Sequence, residues 1–276
     1  MKTRSVLVTG TTSGVGRALL ELYARSGARV ISVNRRRVPE LESRYPAVRF
    51  EHVDVRFNDE VERLVRRLVQ SAELPDVFIL NAGINRVDND EAFDLSSYRS
   101  VLETNLYGVL NFVQPLTELV TSDEPRHVIA LSSTVTYGGN PYALGYSTSK
   151  QAVSACFDAW SRMYTRTDLV FQRVTLGPVR TAIYTMEHRL PRWMSWVKAL
   201  FSTSPEATAR AVARFAETRR RNLFHPWQAI PLYLGLGLCR LLLPGFFRGR
   251  TTLAGNARRV RGRASQVLLT KNEDPR

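Results

Sequence analysis

Through the first two thirds of the chain, short and nearly unbroken apolar runs alternate with longer stretches whose apolar residues recur at helical spacing. Ser5 to Thr9 is the first such run and reads as a strand buried on both faces. Residues 17–26 then carry Leu19, Leu20, Leu22 and Tyr23 at helical spacing and stop at Gly27, a residue suited to a helix C-cap. Further strands are expected at 29–33, 50–55, 76–80, 127–131 and 170–176, with a seventh at 222–225. Between them, 58–70 forms a charged amphipathic pattern and 98–120 a long helical one. Ser204-Pro205 supplies an N-cap and a first-position proline for a last helix running to about Arg220. Strands and helices alternating in this way predict an α/β fold with a parallel, doubly wound sheet of about seven strands and helices on both faces. Ligands bind such sheets at the carboxyl ends of the strands.

Composition adds three constraints. A chain of 276 residues with 44% hydrophobic content can bury one substantial core. The two cysteines, Cys156 and Cys239, have no metal or redox spacing, so no metal site is expected and a reducing, cytoplasmic setting is. The apolar run Val6-Leu7-Val8 is too short for a secretory signal. The net charge of +14 is unusual for a metabolic enzyme, and arginine supplies most of it.

Glycines stand where a phosphate-binding turn needs them. Thr9-Gly10-Thr-Thr-Ser-Gly14-Val-Gly16 follows the first strand directly and opens the first helix. Backbone N–H groups there approach a pyrophosphate, and the helix N-terminus adds positive potential, as in Rossmann-type folds. Gly10, Thr12, Ser13, Gly14, Val15 and Gly16 are therefore candidate dinucleotide contacts. An acid at the end of the second strand, roughly 20 residues on, would bind the ribose hydroxyls of NAD. The chain reads Val33-Asn34-Arg35-Arg36-Arg37 instead. A guanidinium binds a 2′-phosphate that a carboxylate repels, so NADP(H) is the expected cofactor, with Asn34 and Arg35 as contacts.

The second chemical signal is Tyr146-Ser-Thr-Ser-Lys150. A tyrosine and a lysine four residues apart share one helix face, and the ammonium favours the phenolate. Such a pair serves as a general acid/base, although Tyr-x-x-x-Lys alone is a weak pattern.

Taken together these motifs resemble the short-chain dehydrogenase/reductase family, single-domain type, over about Ser5 to Ile183. Asp54-Val55 matches the family's adenine-capping pair, and Asn81-Ala82-Gly83 the element that stabilises the central sheet. Asn105 matches the helix asparagine that supports a proton-relay water, and Ser133 lies thirteen residues before Tyr146 as usual in the family. Gly177-Pro178-Val179-Arg180-Thr181 resembles the turn holding the nicotinamide carboxamide, with Gly-Pro where Pro-Gly is common. The resemblance implies cofactor contacts at Pro178, Val179, Thr181, Tyr146 and Lys150. It implies catalysis by Asn105, Ser133, Tyr146 and Lys150, with the tyrosine protonating a carbonyl oxygen or deprotonating a hydroxyl. The alternative is a non-catalytic NADP-binding sensor or scaffold at a membrane surface, against which the intact four residues argue.

The remaining chain bears on substrate and location. Residues 1–225 are expected to form the catalytic domain, with a substrate lid at 182–203. That lid is rich in apolar residues, with Trp193, Trp196, Met186 and Met194 interspersed with Arg189, Arg192 and Lys198. It suits a hydrophobic, lipid-like or polycyclic substrate, or else packs on its own core. Residues 226–254 form an apolar helical extension, almost unbroken from 229 to 247 apart from Arg240. Pro231, Pro244 and Arg240 disfavour a spanning helix. A helix lying in a membrane interface fits best, with burial in a homodimer or the core as the alternative. Arg248 and Arg250 at the end of the extension, and Arg258, Arg259, Arg261 and Arg263 in a basic, flexible tail, 255–276, suit anionic lipid. No stacking platform accompanies these arginines, so nucleic acid is not an expected partner.

Overall fold

The computed structural model describes residues 5–86, 93–120, 124–137, 143–164, 169–181, 201–231 and 235. Within them the chain forms β1 (Ser5–Thr9), α1 (Gly14–Arg25), β2 (Arg29–Asn34), α2 (Pro39–Arg44), β3 (Arg49–His52), α3 (Asn58–Gln70) and β4 (Val77–Leu80). There follow α4 (Leu95–Leu102), α5 (Gly108–Leu119), β5 (Arg126–Ser133), α6 (Leu144–Met163), β6 (Leu169–Leu176), α7 (Pro205–Ala216) and β7 (Asn222–His225). All seven strands are parallel, in the order β3-β2-β1-β4-β5-β6-β7. The chain crosses over after β3, from one edge of the sheet to β4 beside β1, so the carboxyl ends of β1 and β4 flank the crevice between the two halves.

Alternation along the strands divides the core into two layers. Val6, Val8, Val77 and Ile79 face one side, where Leu19, Leu20 and Tyr23 of α1 and Val212 of α7 cover them. Leu7, Phe78 and Leu80 face the other, against Leu64 and Leu68 of α3, Phe112 and Leu116 of α5 and Phe157 of α6. Because both faces are covered, the strands carry apolar residues continuously, which is the pattern from which the fold was expected.

Three local departures from the sequence reading have physical causes. The third strand stops at His52 rather than 55, because Asp54 and Val55 turn out at its carboxyl end. The six-residue helix α2 has a single buried apolar residue, Leu41, and so leaves no periodic signal. The helix expected over 98–120 begins earlier, at Leu95, where Asp94 accepts from the N–H groups of Ser96 and Ser97. A π-helical turn, Glu103–Tyr107, then separates α4 from α5. The last helix is capped as expected, Ser204 accepting from Ala207 N at 3.1 Å, and ends at Ala216. Residues 182–200 of the lid expected at 182–203, most of the apolar extension and the basic tail lie outside the described residues.

At the amino ends of the strands one buried side chain ties three strands together. Gln172 of β6 donates both amide hydrogens, to Thr218 O at 2.8 Å and Arg220 O at 2.7 Å, on the approach to β7. Its carbonyl is thereby left to accept from His127 Nδ1 of β5, at 2.8 Å. Burial holds the His127 imidazole below its usual 6.5, aided by Arg219 and opposed by the Gln172 bond. A histidine depressed in the folded state contributes stability above the unfolded pKa and loses it as pH falls through the folded one. The melting temperature should therefore fall on acidification from about pH 7 to about pH 5. His127→Gln should reduce that slope without abolishing it, since burial also lowers His225. An unchanged slope in calorimetry would contradict this account.

Candidate active site

The turn after β1 is built from close backbone approaches. Gly10 and Gly14 have φ of +72° and +57°, conformations that glycine adopts without strain. A Cβ on Gly16 would lie 2.0 Å from Gly10 O and 2.5 Å from Asn81 Nδ2. The first turn of α1 thus rests directly on the loop. Ser13 is the N-cap, yet its side chain makes no cap bond, and no acid lies in the first turn. Uncapped N–H groups at a helix N-terminus favour an anion.

Asn81 fixes this turn against β4. Its Nδ2 donates to Thr9 O at 2.9 Å and Gly10 O at 3.0 Å. In return the Thr9 hydroxyl accepts from the N–H groups of Asn81 and Ala82, at 3.0 and 2.9 Å. A second buried network joins the loop to β2. Asn34 accepts from Thr11 N at 2.8 Å and donates to the hydroxyls of Thr11 and Ser32, both at 2.9 Å.

A cavity of about 400 Å³ opens over these carboxyl ends. Of the residues singled out in the sequence, Gly10, Thr12, Ser13, Gly14, Val15, Asn34, Arg35, Asp54, Val55, Asn81, Ala82, Gly83, Ser133, Tyr146, Lys150, Val179 and Thr181 line it. Gly16, Asn105 and Pro178 do not, and stand behind the wall. Asn34 reaches the cavity with both amide hydrogens already engaged, so it has no donor left for a phosphate. The exposed guanidinium groups at that end belong to Arg35 and Arg36. Asp54 is clasped by Arg56, whose Nε and Nη2 lie 3.0 and 2.7 Å from its two oxygens. Burial alone would raise the Asp54 pKa, but the Arg56 hydrogen bonds outweigh it and hold the carboxyl below its usual range.

At the other end stand Ser133, which closes β5, and Tyr146 and Lys150 on α6. The Tyr146 ring packs with Val101 and Ala143, against Ile84 and Val135. Lys150 Nζ sits over that ring, 5.7 Å from its centroid, and donates to Leu131 O at 2.7 Å. Ser154 donates to Lys150 O at 2.8 Å and Ser132 to Ser154 Oγ at 2.6 Å, which holds α6 on β5. Asn105 lies in the π-helical turn, fully buried. Its side chain accepts from Ile84 N at 2.8 Å and donates to Ile84 O and to Ser149 Oγ, at 2.9 and 3.1 Å. Ser149 in turn donates to Tyr146 O at 2.8 Å. Among the described residues no group of His, Cys, Asp and Glu could hold a metal ion.

The sequence reading missed several contributors. Ser132, Thr104, Leu131 and Leu176 line the cavity, and Ser149 links Asn105 to Tyr146. Only Arg36 carried a signal, as the second arginine of the run after β2. The turn after β6 is anchored by Val179, which bridges to Thr203. Arg180 N donates to Thr203 O and Thr203 N to Pro178 O, each at 2.9 Å.

Comparison with known proteins gives this arrangement its class. Residues 4–190 match the family model of the short chain dehydrogenases. The chain belongs to that family of oxidoreductases. A 3-oxoacyl-[acyl-carrier-protein] reductase of Thermotoga maritima is 28% identical over 191 residues, covering 67% of this chain and 76% of the relative. The corresponding reductase of Staphylococcus aureus is 30% identical over 158 residues, covering 55% of this chain and 64% of the relative, less than two thirds of its length. Among solved structures, a short chain dehydrogenase from Burkholderia cenocepacia in complex with NADP is similar at a TM-score of 0.71 and 22% identity, covering 89% of this chain and 97% of that one. A 3-ketoacyl-(acyl-carrier-protein) reductase from Brucella melitensis, complexed with NADH, is similar at 0.70 and 18% identity, covering 80% and 96%. These likenesses establish the fold.

Burial, with no carboxylate to offset it, pushes the Lys150 amine down from 10.5 to about 8. The chain has four lysines, so its ammonium signals are resolvable by nitrogen-15 NMR. One signal should titrate near pH 8 in the cofactor-free protein and be missing from Lys150→Arg. The absence of any lysine signal titrating near pH 8 would refute the buried placement.

Proposed function

We propose that the chain is an NADP(H)-dependent oxidoreductase that interconverts a ketone or aldehyde with an alcohol on a hydrophobic substrate. The observation that carries this reading is the convergence of Ser133, Tyr146 and Lys150 on one cavity whose far end holds Arg35 and Arg36. The glycine turn and the uncapped start of α1 fit a pyrophosphate, and the two arginines fit a 2′-phosphate. The bound nicotinamide would supply or take up a hydride.

The protein residues divide the rest of the work. Tyr146 donates its phenolic proton to the carbonyl oxygen during reduction, or accepts the hydroxyl proton during oxidation. Ser133 donates to the same oxygen, where negative charge develops. The Lys150 ammonium has one hydrogen on Leu131 O, leaving two for the cofactor ribose and the phenol. Asn105 is a positioning residue, since both its amide hydrogens are engaged. A water that replaces the proton would be held by its main-chain carbonyl, in a π turn where the helical ladder is shifted. The apolar substrate is supported by the exposed Tyr137 and Leu144, which lie in the chain between the cavity residues Ser133 and Tyr146, and by the tryptophans at 193 and 196 in a later segment.

Tyr146→Phe removes only the proton-transferring oxygen. It should lower kcat by about 10²–10⁴-fold while NADPH affinity stays near normal. The assay is turnover of ketones and aldehydes of graded chain length with NADPH. Near-normal kcat would move the acid elsewhere, and no turnover of any carbonyl or alcohol by the parent protein would favour a sensor or scaffold.

Cofactor choice is tested separately by fluorescence titration. The double change Arg35→Asp and Arg36→Asp should weaken NADPH binding about tenfold or more, the scale of one lost charge-assisted hydrogen bond, with NADH unaffected or improved. Equal affinity of the parent protein for both nucleotides would contradict the assignment. Asn34→Ala, in contrast, should disturb the β1 turn and weaken both nucleotides alike.

A further inference from the structure

Exposed large apolar side chains are unevenly placed on this molecule. Of the nine among the described residues, six follow the carboxyl end of a strand: Phe57, Phe93, Leu95, Tyr137, Leu144 and Trp227. In an all-parallel sheet those connections open on one edge, here the edge that carries the cavity. At the opposite edge, where helices return to strands, only Val69 and Met163 are exposed. Trp227 is the most telling, 68% exposed on the turn just after β7. Nothing about a soluble enzyme requires an indole there.

Basic residues stand on this edge as well, although the opposite edge has an exposed arginine run of its own, Arg219 to Arg221, so it is the apolar side chains that distinguish the two. The exposed run Arg35, Arg36 and Arg37 follows β2, Arg86 follows β4 and Arg180 follows β6. Two acids nearby are already engaged, Asp94 as the cap of α4 and Asp59 with Arg63. The chain itself leaves the sheet from this edge, from His225 through Trp227 into the apolar run 229–247 and the arginines beyond it. Among the described residues no helix is long and apolar enough to cross a membrane.

We propose that the carboxyl edge of the sheet docks on an anionic phospholipid surface, with the catalytic cavity facing the lipid. Aromatic residues, tryptophan above all, favour the headgroup level, and arginine beside them pairs with lipid phosphate. A basic rim around apolar side chains meets both demands of such a surface, whereas a second copy of this chain would bring arginine against arginine. Apolar substrate then enters from the bilayer without crossing water. That last consequence rests on the oxidoreductase reading; the docking does not.

The test places an environment-sensitive fluorophore on single cysteines at Trp227→Cys and Tyr137→Cys, in full-length protein with Cys156 and Cys239 changed to serine. The control is Met163→Cys, equally exposed and apolar but at the other edge. Each variant is first checked for an unchanged melting temperature. With vesicles of phosphatidylglycerol and phosphatidylcholine, labels at 227 and 137 should brighten severalfold, shift to the blue and be quenched by brominated lipid. The label at 163 should stay as in water, and high salt should reduce the effect. Vesicle binding with the edge labels unmoved, or no vesicle binding at all, would overturn the proposal. So would edge labels that respond to protein concentration in the absence of lipid, which would show a dimer covering the face. Turnover of a water-soluble carbonyl by the parent protein reports on the oxidoreductase reading independently.

Discussion

The site depends on one side-chain amide. Asn81, just after β4, gives both its Nδ2 hydrogens to the carbonyls of Thr9, the last residue of β1, and of Gly10 in the turn. A buried carbonyl that loses its donor costs about 1–3 kcal/mol. The same amide sets how closely α1 can approach, since only the bare backbone of Gly16 fits beside it. Thr9 answers from the other side by receiving two main-chain N–H groups. Two strands that enclose the crevice are therefore locked at their carboxyl ends by side chains and not by the sheet alone. The spacing of the glycine turn, the start of α1 and the floor of the cavity follow from that lock.

How much of this could be read from the sequence varies with the kind of signal. Strands buried on both faces announce themselves as apolar runs, so all seven were visible, with errors at their ends. The π turn was invisible because Leu102, Leu106, Val109 and Phe112 continue helical spacing through it. One extra residue in a helical turn changes which face follows, but leaves no compositional trace. Asn34 shows a different limit. Its place in the chain marks it as a cofactor contact, whereas its neighbours Thr11 and Ser32, distant or alternating in sequence, turn its amide inward. The uses of Ser132, Ser149 and Ser154 were equally hidden, because a hydroxyl takes its role from whichever backbone the fold brings near.

Lys150 is held in a manner that serves chemistry better than stability. A buried ammonium is ordinarily matched with a carboxylate. Here the ammonium donates to the carbonyl of Leu131, and the Tyr146 ring supplies a face of negative quadrupole. A carboxylate would have fixed the charge firmly and drawn the ammonium's hydrogens to itself. A carbonyl leaves the amine able to respond to what enters the cavity, so an incoming anion strengthens the very charge that holds it. Ser132 and Ser154 keep the lysine's own backbone in place, so this adaptability is confined to the tip of the side chain.

The short bridge between Val179 and Thr203 has an evolutionary meaning. It pins the two ends of the intervening segment within one strand spacing of each other, on backbone hydrogen bonds that require no particular side chains. Lengthening a loop whose ends are already joined costs little, about 0.6 kcal/mol for each doubling. The segment between the pins is therefore free to vary in length and sequence without disturbing the cavity floor. New substrate preferences become available by exchanging a cassette, while Ser133, Tyr146 and Lys150 stay where the sheet put them.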